Sequence, residues 1–151
     1  MISKKTKYAL KALSFLAEQG KDSDHPVLIA HLAKQEKIPR KFLEAILLEL
    51  KNQGILNSKM GKGGGYFLAK PSEAIMIGRI VRATEGPLAP LSCLSQTAYK
   101  RCEECKDEHH CGIRLVFKSV HEATLAILDN TSLHDMVEKS KDPGKAPMYH
   151  I

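Results

Sequence analysis

The fold of this chain is decided between residues 38 and 54, where the sequence reads IPRKFLEAILLELKNQG. Pro39 suits the first turn of an α-helix, and Gly54 suits a position just beyond a helix end. Apolar side chains recur between them at helical spacing and predict a buried stripe. This stripe comprises Phe42, Leu43, Ile46, Leu47 and Leu50. We therefore expect a long amphipathic helix here.

A shorter amphipathic segment precedes this helix. Within residues 26–34, Ile29, Leu32 and Ala33 stand at helical spacing, and the polar turn Gln35-Glu36-Lys37 follows. Two helices joined by so short a turn, the second of them longer, are typical of a helix-turn-helix. In that motif the N-terminal end of the second helix touches base edges in the major groove. The helix after residue 38 is therefore interpreted as a recognition helix.

The outward face of the recognition helix carries polar and charged residues that suit DNA. Arg40 and Lys41 could contact phosphates or guanine. Glu44 could accept a hydrogen bond from cytosine N4, and Leu48 could meet a thymine methyl group. Any solvated helix face has charges, and one exposed leucine is ordinary. Their position within the motif nevertheless favours DNA contact.

Basic residues are concentrated in the first half of the chain. Residues 1–70 hold 13 Lys and Arg against 6 Asp and Glu, whereas residues 71–151 hold 10 against 11. Such a basic half suggests a polyanionic partner, and we expect double-stranded DNA rather than a membrane. No apolar run in the sequence is long enough to cross a bilayer.

A first helix is predicted between Ser3, as its N-cap, and Gly20, as its stop. Four lysines follow the N-cap within two turns, namely Lys4, Lys5, Lys7 and Lys11. Cations oppose the dipole at a helix N-terminus, so they are locally unfavourable. Solubility alone could account for them, but the charge asymmetry favours phosphate contacts, for which Lys4 and Lys5 are the candidates.

A glycine-rich hairpin is predicted directly after the recognition helix. Residues 55–59 and 66–69 have strand character, and Met60-Gly-Lys-Gly-Gly-Gly65 joins them. Glycines permit positive φ and close approach of the backbone to a phosphate. A nucleotide-binding loop is excluded, because the Gly-x-x-x-x-Gly-Lys-Ser/Thr pattern and a following crossover helix are missing. The hairpin is therefore interpreted as a wing. Its candidate DNA contacts are Lys59, Lys62, Gly63, Gly64 and Tyr66.

The second half of the chain is predicted to contain a fourth helix near residues 77–84, a stiff linker and a long helix. After residue 111, apolar residues are spaced alternately three and four apart, which is an a/d seam. The seam comprises Ile113, Val116, Val120, Ala123 and Ile127. It could pack on its own domain. A helix pair between two chains is at least as well supported, because two-fold dimers commonly read operator half-sites.

The chain is expected to end with a short helix and a polar tail. Ser132-x-x-Asp135 is a capping box that opens a helix carrying Leu133, Met136 and Val137. Residues 139–151, with Pro143 and Pro147, are predicted to be mobile.

All four cysteines lie in one polar stretch, residues 93–111. Two residues separate Cys102 from Cys105, and five separate Cys105 from Cys111. Thiolates gathered this closely could hold zinc, cuprous copper or an iron–sulfur cluster. Disulfides of a secreted module are disfavoured, because the sequence begins without an apolar signal region. The interpretation of the chain as a dithiol enzyme is also weakly supported, because no strand precedes the cysteine pair and no βαβ pattern exists.

Four features together resemble the Rrf-two (Rrf2) family of bacterial winged-helix regulators. They are residues 3–13, Phe42-Leu-Glu44, the Gly61-Lys-Gly-Gly-Gly-Tyr66 wing and the cysteine stretch. The resemblance covers about residues 1–137. It implies a dimer with a long crossing helix. Members of the family include iron–sulfur, nitric-oxide and iron sensors, and also a cysteine-metabolism repressor that lacks a cluster.

The resemblance assigns cluster cysteines by position. Cys93, Cys105 and Cys111 resemble the three ligands of the iron–sulfur regulator, and Cys102 is additional. Arg114 stands where that regulator has a histidine ligand, and Lys7 stands where nitric-oxide sensors have an acidic ligand. Cys102 is therefore the natural fourth ligand. His109 and His110 are secondary candidates that could simply be solvated.

The sequence thus predicts a mainly α fold with a small β-hairpin wing, in a cytoplasmic, homodimeric, DNA-binding transcription regulator that is not an enzyme. A 2Fe–2S or 4Fe–4S cluster is the expected cofactor, and structural zinc is the alternative. The expected domains are a winged helix-turn-helix over 1–85, a cluster loop over 86–111, a dimerisation region over 112–138 and the tail over 139–151.

Overall fold

A computed structural model describes residues 2–19, 25–142 and 144 of the chain. It contains six α-helices and one two-stranded antiparallel sheet in these residues. The elements are α1 (Lys4–Gln19), α2 (Ile29–Glu36), α3 (Arg40–Asn52), β1 (Leu56–Lys59), β2 (Gly65–Leu68), α4 (Ile77–Glu85), α5 (Gly112–Asp129) and α6 (Leu133–Lys141). The predicted fold class, mainly α with a hairpin wing, is confirmed. Within the described ranges, no helix has the length and apolarity needed to span a membrane.

The first four helices enclose one hydrophobic core. Leu13 of α1, Leu32 of α2, Leu43 of α3 and Ile80 of α4 are all fully buried in it. Each buried aliphatic side chain of this size contributes about 1.5–3 kcal/mol of transfer free energy. Burial therefore fixes the relative positions of α2 and α3, the two helices of the predicted helix-turn-helix.

Phe42 was predicted to be buried, and this prediction is wrong because its side chain is 42% exposed. The residue lies in the first turn of α3, where Leu43 takes the core position instead. The Phe42 ring packs edge-on against Tyr8 of α1, with 5.7 Å between ring centroids.

Helix boundaries differ from the prediction at two further places. The predicted turn over residues 35–37 is reduced to Lys37, because α2 continues to Glu36. Lys37 adopts a left-handed conformation, with φ of 52°, and its N–H caps the Ala33 carbonyl. Residues 139–141 belong to α6 rather than to the tail, and Lys141 pairs with Glu138 at 2.7 Å. Gly20, residues 21–24, and the tail residues Pro143 and Pro147 lie outside the described residues.

The end of α5 is fastened to the core. Arg82 of α4 donates two hydrogen bonds to the Asp129 carboxylate, over 2.6 and 2.7 Å. Gly78 makes room for this pair, since a Cβ there would lie 2.0 Å from Asp129 Oδ1. The chain then runs beside residues 75–77, where Ile77 N–H donates to Thr131 O at 2.8 Å. The Ser132–Asp135 capping box then opens α6, as predicted.

Most of the surface of α5 is exposed. None of its residues is buried, and the predicted seam is largely open to solvent. Ile113 is 64% exposed, Val116 63%, Val120 52% and Ile127 54%. In the single chain, the seam therefore does not pack on the core.

The start of α1 is joined to the end of α4 by a hydrogen-bond network. Ser3 caps α1 as predicted, because its Oγ accepts from the Thr6 N–H at 3.2 Å. The Ser3 N–H also donates to Glu85 Oε1 at 2.7 Å, and the Thr6 hydroxyl donates to the same oxygen. Hydrogen bonds from Ser3 and Thr6 lower the pKa of Glu85 to about 2.

We expect Glu85→Gln to lower the free energy of unfolding at neutral pH and to matter little in strong acid. A carboxylate with a depressed folded-state pKa stabilises the fold above its unfolded pKa, about 4.3, and loses this contribution as pH falls through the folded value. Urea unfolding of both proteins from neutral pH down to the folded pKa of about 2 measures the difference.

The matched control is Glu122→Gln, because Glu122 is an exposed carboxylate on α5 that pairs with Lys118 at 3.7 Å. It should change stability little at any pH. A destabilisation by Glu85→Gln that stays constant over the whole pH range would contradict the assignment.

Candidate DNA-binding surface and cysteine loop

The N-terminal end of α3 presents the charged residues expected of a recognition helix. Arg40 and Lys41 are exposed, and Leu48 is 52% exposed. Arg40 Nε donates to Glu44 Oε1 over 3.0 Å. This i,i+4 pair orients the guanidinium along the helix surface. The sequence prediction overlooked the pair, although its spacing could have revealed it.

The lysines of α1 are largely engaged with the protein itself. Lys5 forms an ion pair with Glu49 of α3 at 2.7 Å. Lys11 donates to the Glu36 carbonyl at 2.9 Å, and Lys4 lies over the Tyr8 ring, 5.6 Å from its centroid. The Lys5 and Lys11 contacts tie α1 to α3 and α2. A phosphate that binds Lys5 would therefore compete with Glu49.

The tip of the wing is exposed and is flanked by two exposed lysines. Lys59, Met60 and Lys62 are exposed, and Met60 reaches 89%. Gly61 and Gly63 take positive φ values of 87° and 75°, which suit glycine. The wing backbone is thus shaped by glycines next to the two lysines.

The wing is fixed at its base by close backbone approaches. A Cβ at Gly64 would lie 2.2 Å from the Lys59 carbonyl oxygen, and one at Gly65 would lie 2.3 Å from the Val27 carbonyl oxygen. Val27 and Tyr66 exchange two backbone hydrogen bonds of 2.9 Å. The half-buried Tyr66 side chain packs partly against the core. Of the candidate wing contacts, Tyr66 is therefore at the base, whereas Lys62 and Gly63 are at the tip.

The cysteine loop has an ordered base. Cys93 lies in a short 3-10 turn, Ser92–Leu94. Ser92 Oγ donates to the Lys100 carbonyl at 2.9 Å, and Lys100 N–H donates to the Ser92 carbonyl at 3.2 Å. At the other end of the loop, Cys111 is the N-cap residue of α5. The outer two cysteines therefore mark the beginning and the end of the loop.

The middle two cysteines flank a tight turn. The Cys105 N–H donates to the Cys102 carbonyl at 3.2 Å. The Cys102 thiol donates to Glu104 Oε2 at 3.1 Å. This hydrogen bond raises the pKa of Cys102 and lowers the pKa of Glu104.

Both candidate histidines are exposed and bound to Asp107. His110 Nδ1 lies 2.5 Å from Asp107 Oδ2, and the His109 N–H donates to Asp107 Oδ1 at 2.8 Å. These hydrogen bonds lower the pKa of Asp107. Contacts of both histidines with Asp107 thus support the local conformation of the loop.

The donor chemistry fits a thiolate-bound metal, because all four cysteines are free and share one loop. Across residues 2–19, 25–142 and 144, however, no three His, Cys, Asp or Glu side chains are grouped to hold a metal ion. The loop would have to close to bring its thiols together. Arg114, three residues after Cys111, adds no ligand, since a guanidinium remains protonated.

Comparisons with known proteins agree with this architecture. Residues 2–139 match the Rrf2 family, whose description reads "Iron-dependent Transcriptional regulator". The chain is 42% identical over 146 residues to an rrf2-like HTH-type transcriptional regulator named in Rhodobacter capsulatus, covering 96% of this chain and 97% of that protein. It is 30% identical over 150 residues to the HTH-type transcriptional regulator CymR of Bacillus subtilis, covering 99% of each.

Two solved structures have a similar fold. The structure of CymR, titled the global cysteine regulator of B. subtilis, gives a TM-score of 0.74 at 28% identity, covering 91% of this chain and 96% of that chain. The structure of IscR from T. potens gives a TM-score of 0.71 at 25% identity, covering 100% of this chain and 93% of that chain.

Proposed function

Because the chain belongs to the Rrf2 family of transcriptional regulators, we propose that it binds operator DNA as a homodimer whose affinity is set by an iron–sulfur cluster in the cysteine loop. Its relatives are named transcriptional regulators, and it is not an enzyme. The observation that carries this proposal is that one chain combines an exposed basic end of α3, a wing with exposed lysines and a loop of four free thiols.

The proposed DNA contacts divide into reading and gripping residues. Arg40, Lys41 and Glu44 lie where a recognition helix meets base edges. The phosphate backbone would be gripped by the wing residues Lys59, Lys62, Gly63, Gly64 and Tyr66, and also by Lys4 and Lys5 of α1. Phosphate contacts set register and affinity but carry no sequence information.

Dimerisation is proposed through α5. Its apolar seam is exposed over most of its length, and exposed apolar side chains arranged in a continuous stripe mark an interaction surface. The three–four spacing suits packing against a second helix. A two-fold pair of chains would also place two recognition helices on successive half-sites.

The proposed cofactor site uses Cys93, Cys105 and Cys111, with Cys102 as fourth ligand and His109 or His110 as substitutes. When bound, an iron–sulfur cluster supplies redox-active iron that is also open to nitrosylation. The thiols must converge for any such group to bind, so binding would order residues 93–111. Because Cys111 is the N-cap residue of α5, loop order would fix the start of the dimer helix. Coupling of this kind is usually about 1–3 kcal/mol. Reducing conditions, as in the cytoplasm, would keep the thiols available.

The metal is tested by anaerobic purification followed by absorption spectroscopy and metal analysis. We expect visible charge-transfer bands and iron in the wild type. Single Ala substitutions at Cys93, Cys105 or Cys111 should abolish both, because each removes one thiolate. Cys102→Ala should be equally damaging, whereas full retention there would move the fourth ligand to His109 or His110. A colourless protein with stoichiometric zinc would indicate a structural zinc site instead of a sensing cluster.

Gripping and reading are separated by Lys62→Ala and Glu44→Ala. Lys62→Ala should weaken binding to specific and to random duplexes about equally. It should also reduce the slope of log affinity against log salt by about one phosphate contact per subunit. Glu44→Ala should instead relax discrimination at one base position per half-site by roughly 1–3 kcal/mol, with the salt slope nearly unchanged. Lys62 is a cleaner probe than Lys5, which is paired with Glu49.

Titrations over single-base operator variants at several salt concentrations measure both effects. Arg40→Ala is the companion variant, because Arg40 and Glu44 form a pair at 3.0 Å. If Glu44→Ala increased the affinity for all duplexes equally, Glu44 would only repel the DNA backbone. The base-reading role proposed for Glu44 would then be wrong.

The dimer is tested by placing Glu at both Val120 and Ile127. Like charges buried across a two-fold seam are strongly unfavourable, so we expect monomers in sedimentation. The folded monomer should keep its helical circular dichroism, because both residues are exposed in the single chain. An intact dimer would show that another surface joins the subunits.

A further inference from the structure

The cysteine loop contains a turn whose backbone suits a disulfide. The Cys105 N–H donates to the Cys102 carbonyl at 3.2 Å, with Glu103 and Glu104 between them. The end residues of such a β-turn have Cα atoms less than about 7 Å apart. Most disulfides join Cα atoms about 4.4–6.8 Å apart. The spacing of this turn is therefore compatible with a Cys102–Cys105 bond.

Both thiols of this turn are accessible. Cys102 is exposed, Cys105 is half-buried, and both are free. Arg101 Nη2 donates to the Cys105 carbonyl at 3.2 Å, which gives the turn a second support. A small oxidant can therefore reach the pair from solvent without opening the core.

The other two cysteines are held elsewhere in the loop. Cys93 lies in the 3-10 turn that Ser92 and Lys100 close. Cys111 occupies the N-cap position of α5, and its carbonyl accepts a hydrogen bond from the Leu115 N–H at 3.0 Å. The entropic cost of closing a loop rises with its length, and the Cys102–Cys105 loop is the shortest that any two cysteines of this chain can close. Geometry and entropy thus favour the same pair.

We propose that the Cys102–Cys105 turn is a thiol-oxidation site that forms a reversible intramolecular disulfide with low-molecular-weight disulfides. One thiolate attacks the small disulfide, a mixed disulfide forms, and one small thiol leaves. The second cysteine then displaces the other small thiol. One Sγ–Sγ bond is formed in the protein, the small disulfide is cleaved, and both electrons and both protons go to the two released thiols.

The regulatory consequence of this oxidation rests on the proposed function. Cys102 and Cys105 are both proposed cluster ligands, so their disulfide would remove two thiolates at once. The oxidised loop would be unable to take up a cluster until a dithiol reductant restored it. The same turn would then report the thiol–disulfide balance whenever the cluster is absent.

The test uses full-length, reduced, metal-free protein equilibrated with mixtures of reduced and oxidised glutathione. We expect maleimide labelling to fall from four thiols to two and peptide mass mapping to find a Cys102–Cys105 link. Dithiothreitol should restore all four. A double variant with Ser at Cys93 and Cys111 should form the link equally well, whereas Cys102→Ser should form none.

A link that involves Cys93 or Cys111, a disulfide between chains, or stable glutathione adducts alone would overturn the proposal. Cluster reconstitution is then attempted with reduced and oxidised wild type, followed by absorption spectroscopy. Uptake by both forms would overturn the regulatory consequence. Failure of the reduced protein to take up a cluster would count against the proposed function, while the mapped Cys102–Cys105 link would still stand.

Discussion

The position of α5 between the core and the cysteine loop is the constraint on which the proposed regulation depends. At its C-terminal end, the bidentate pair between Arg82 and Asp129 lies over Gly78, and backbone hydrogen bonds continue into α6. Both side chains of the pair are about 40% exposed, so the pair is worth only about 0–1 kcal/mol. Its effect is mainly to orient α5. At its N-terminal end, α5 begins at Cys111, in the cysteine loop. A change in that loop can therefore act on a helix whose far end is fixed.

Helix α4 connects the three parts that such regulation would need. Arg82 holds α5, and Glu85 accepts hydrogen bonds from Ser3 and Thr6 at the start of α1. The linker to the cysteine loop begins at the next residue, Gly86. A displacement of this linker would therefore act on Glu85 and, through its hydrogen bonds, on the start of α1. Helix α1 is in turn joined to the recognition helix by the ion pair of Lys5 and Glu49.

Features with a local periodic signal could be predicted from the sequence, and features that depend on distant partners could not. The stripe of α3 from Leu43 to Leu50 and the capping box of α6 are confirmed because each is written within a few neighbouring residues. Phe42 was misjudged because helical spacing cannot tell which edge of an apolar stripe another helix covers. The Arg82–Asp129 pair joins residues that are 47 positions apart, and no periodic pattern in the sequence predicts it. The cysteines could be recognised as donors, but their arrangement depends on tertiary contacts and on any ligand they hold.

The ion pairs on the proposed DNA surface affect how binding energy would be distributed. A phosphate that approaches Lys5 must replace Glu49, and a base or phosphate that approaches Arg40 must share it with Glu44. Part of each new attraction is therefore offset by a lost one, and the released carboxylate repels the DNA backbone. The wing lysines Lys59 and Lys62 have no ion pair among the described residues, so their attraction to phosphate carries no such offset. Affinity would then come mainly from the wing. Paired residues of α3 would contribute mainly to discrimination between sequences. Only a base edge that interacts favourably with both charges would compensate for the weakened ion pair.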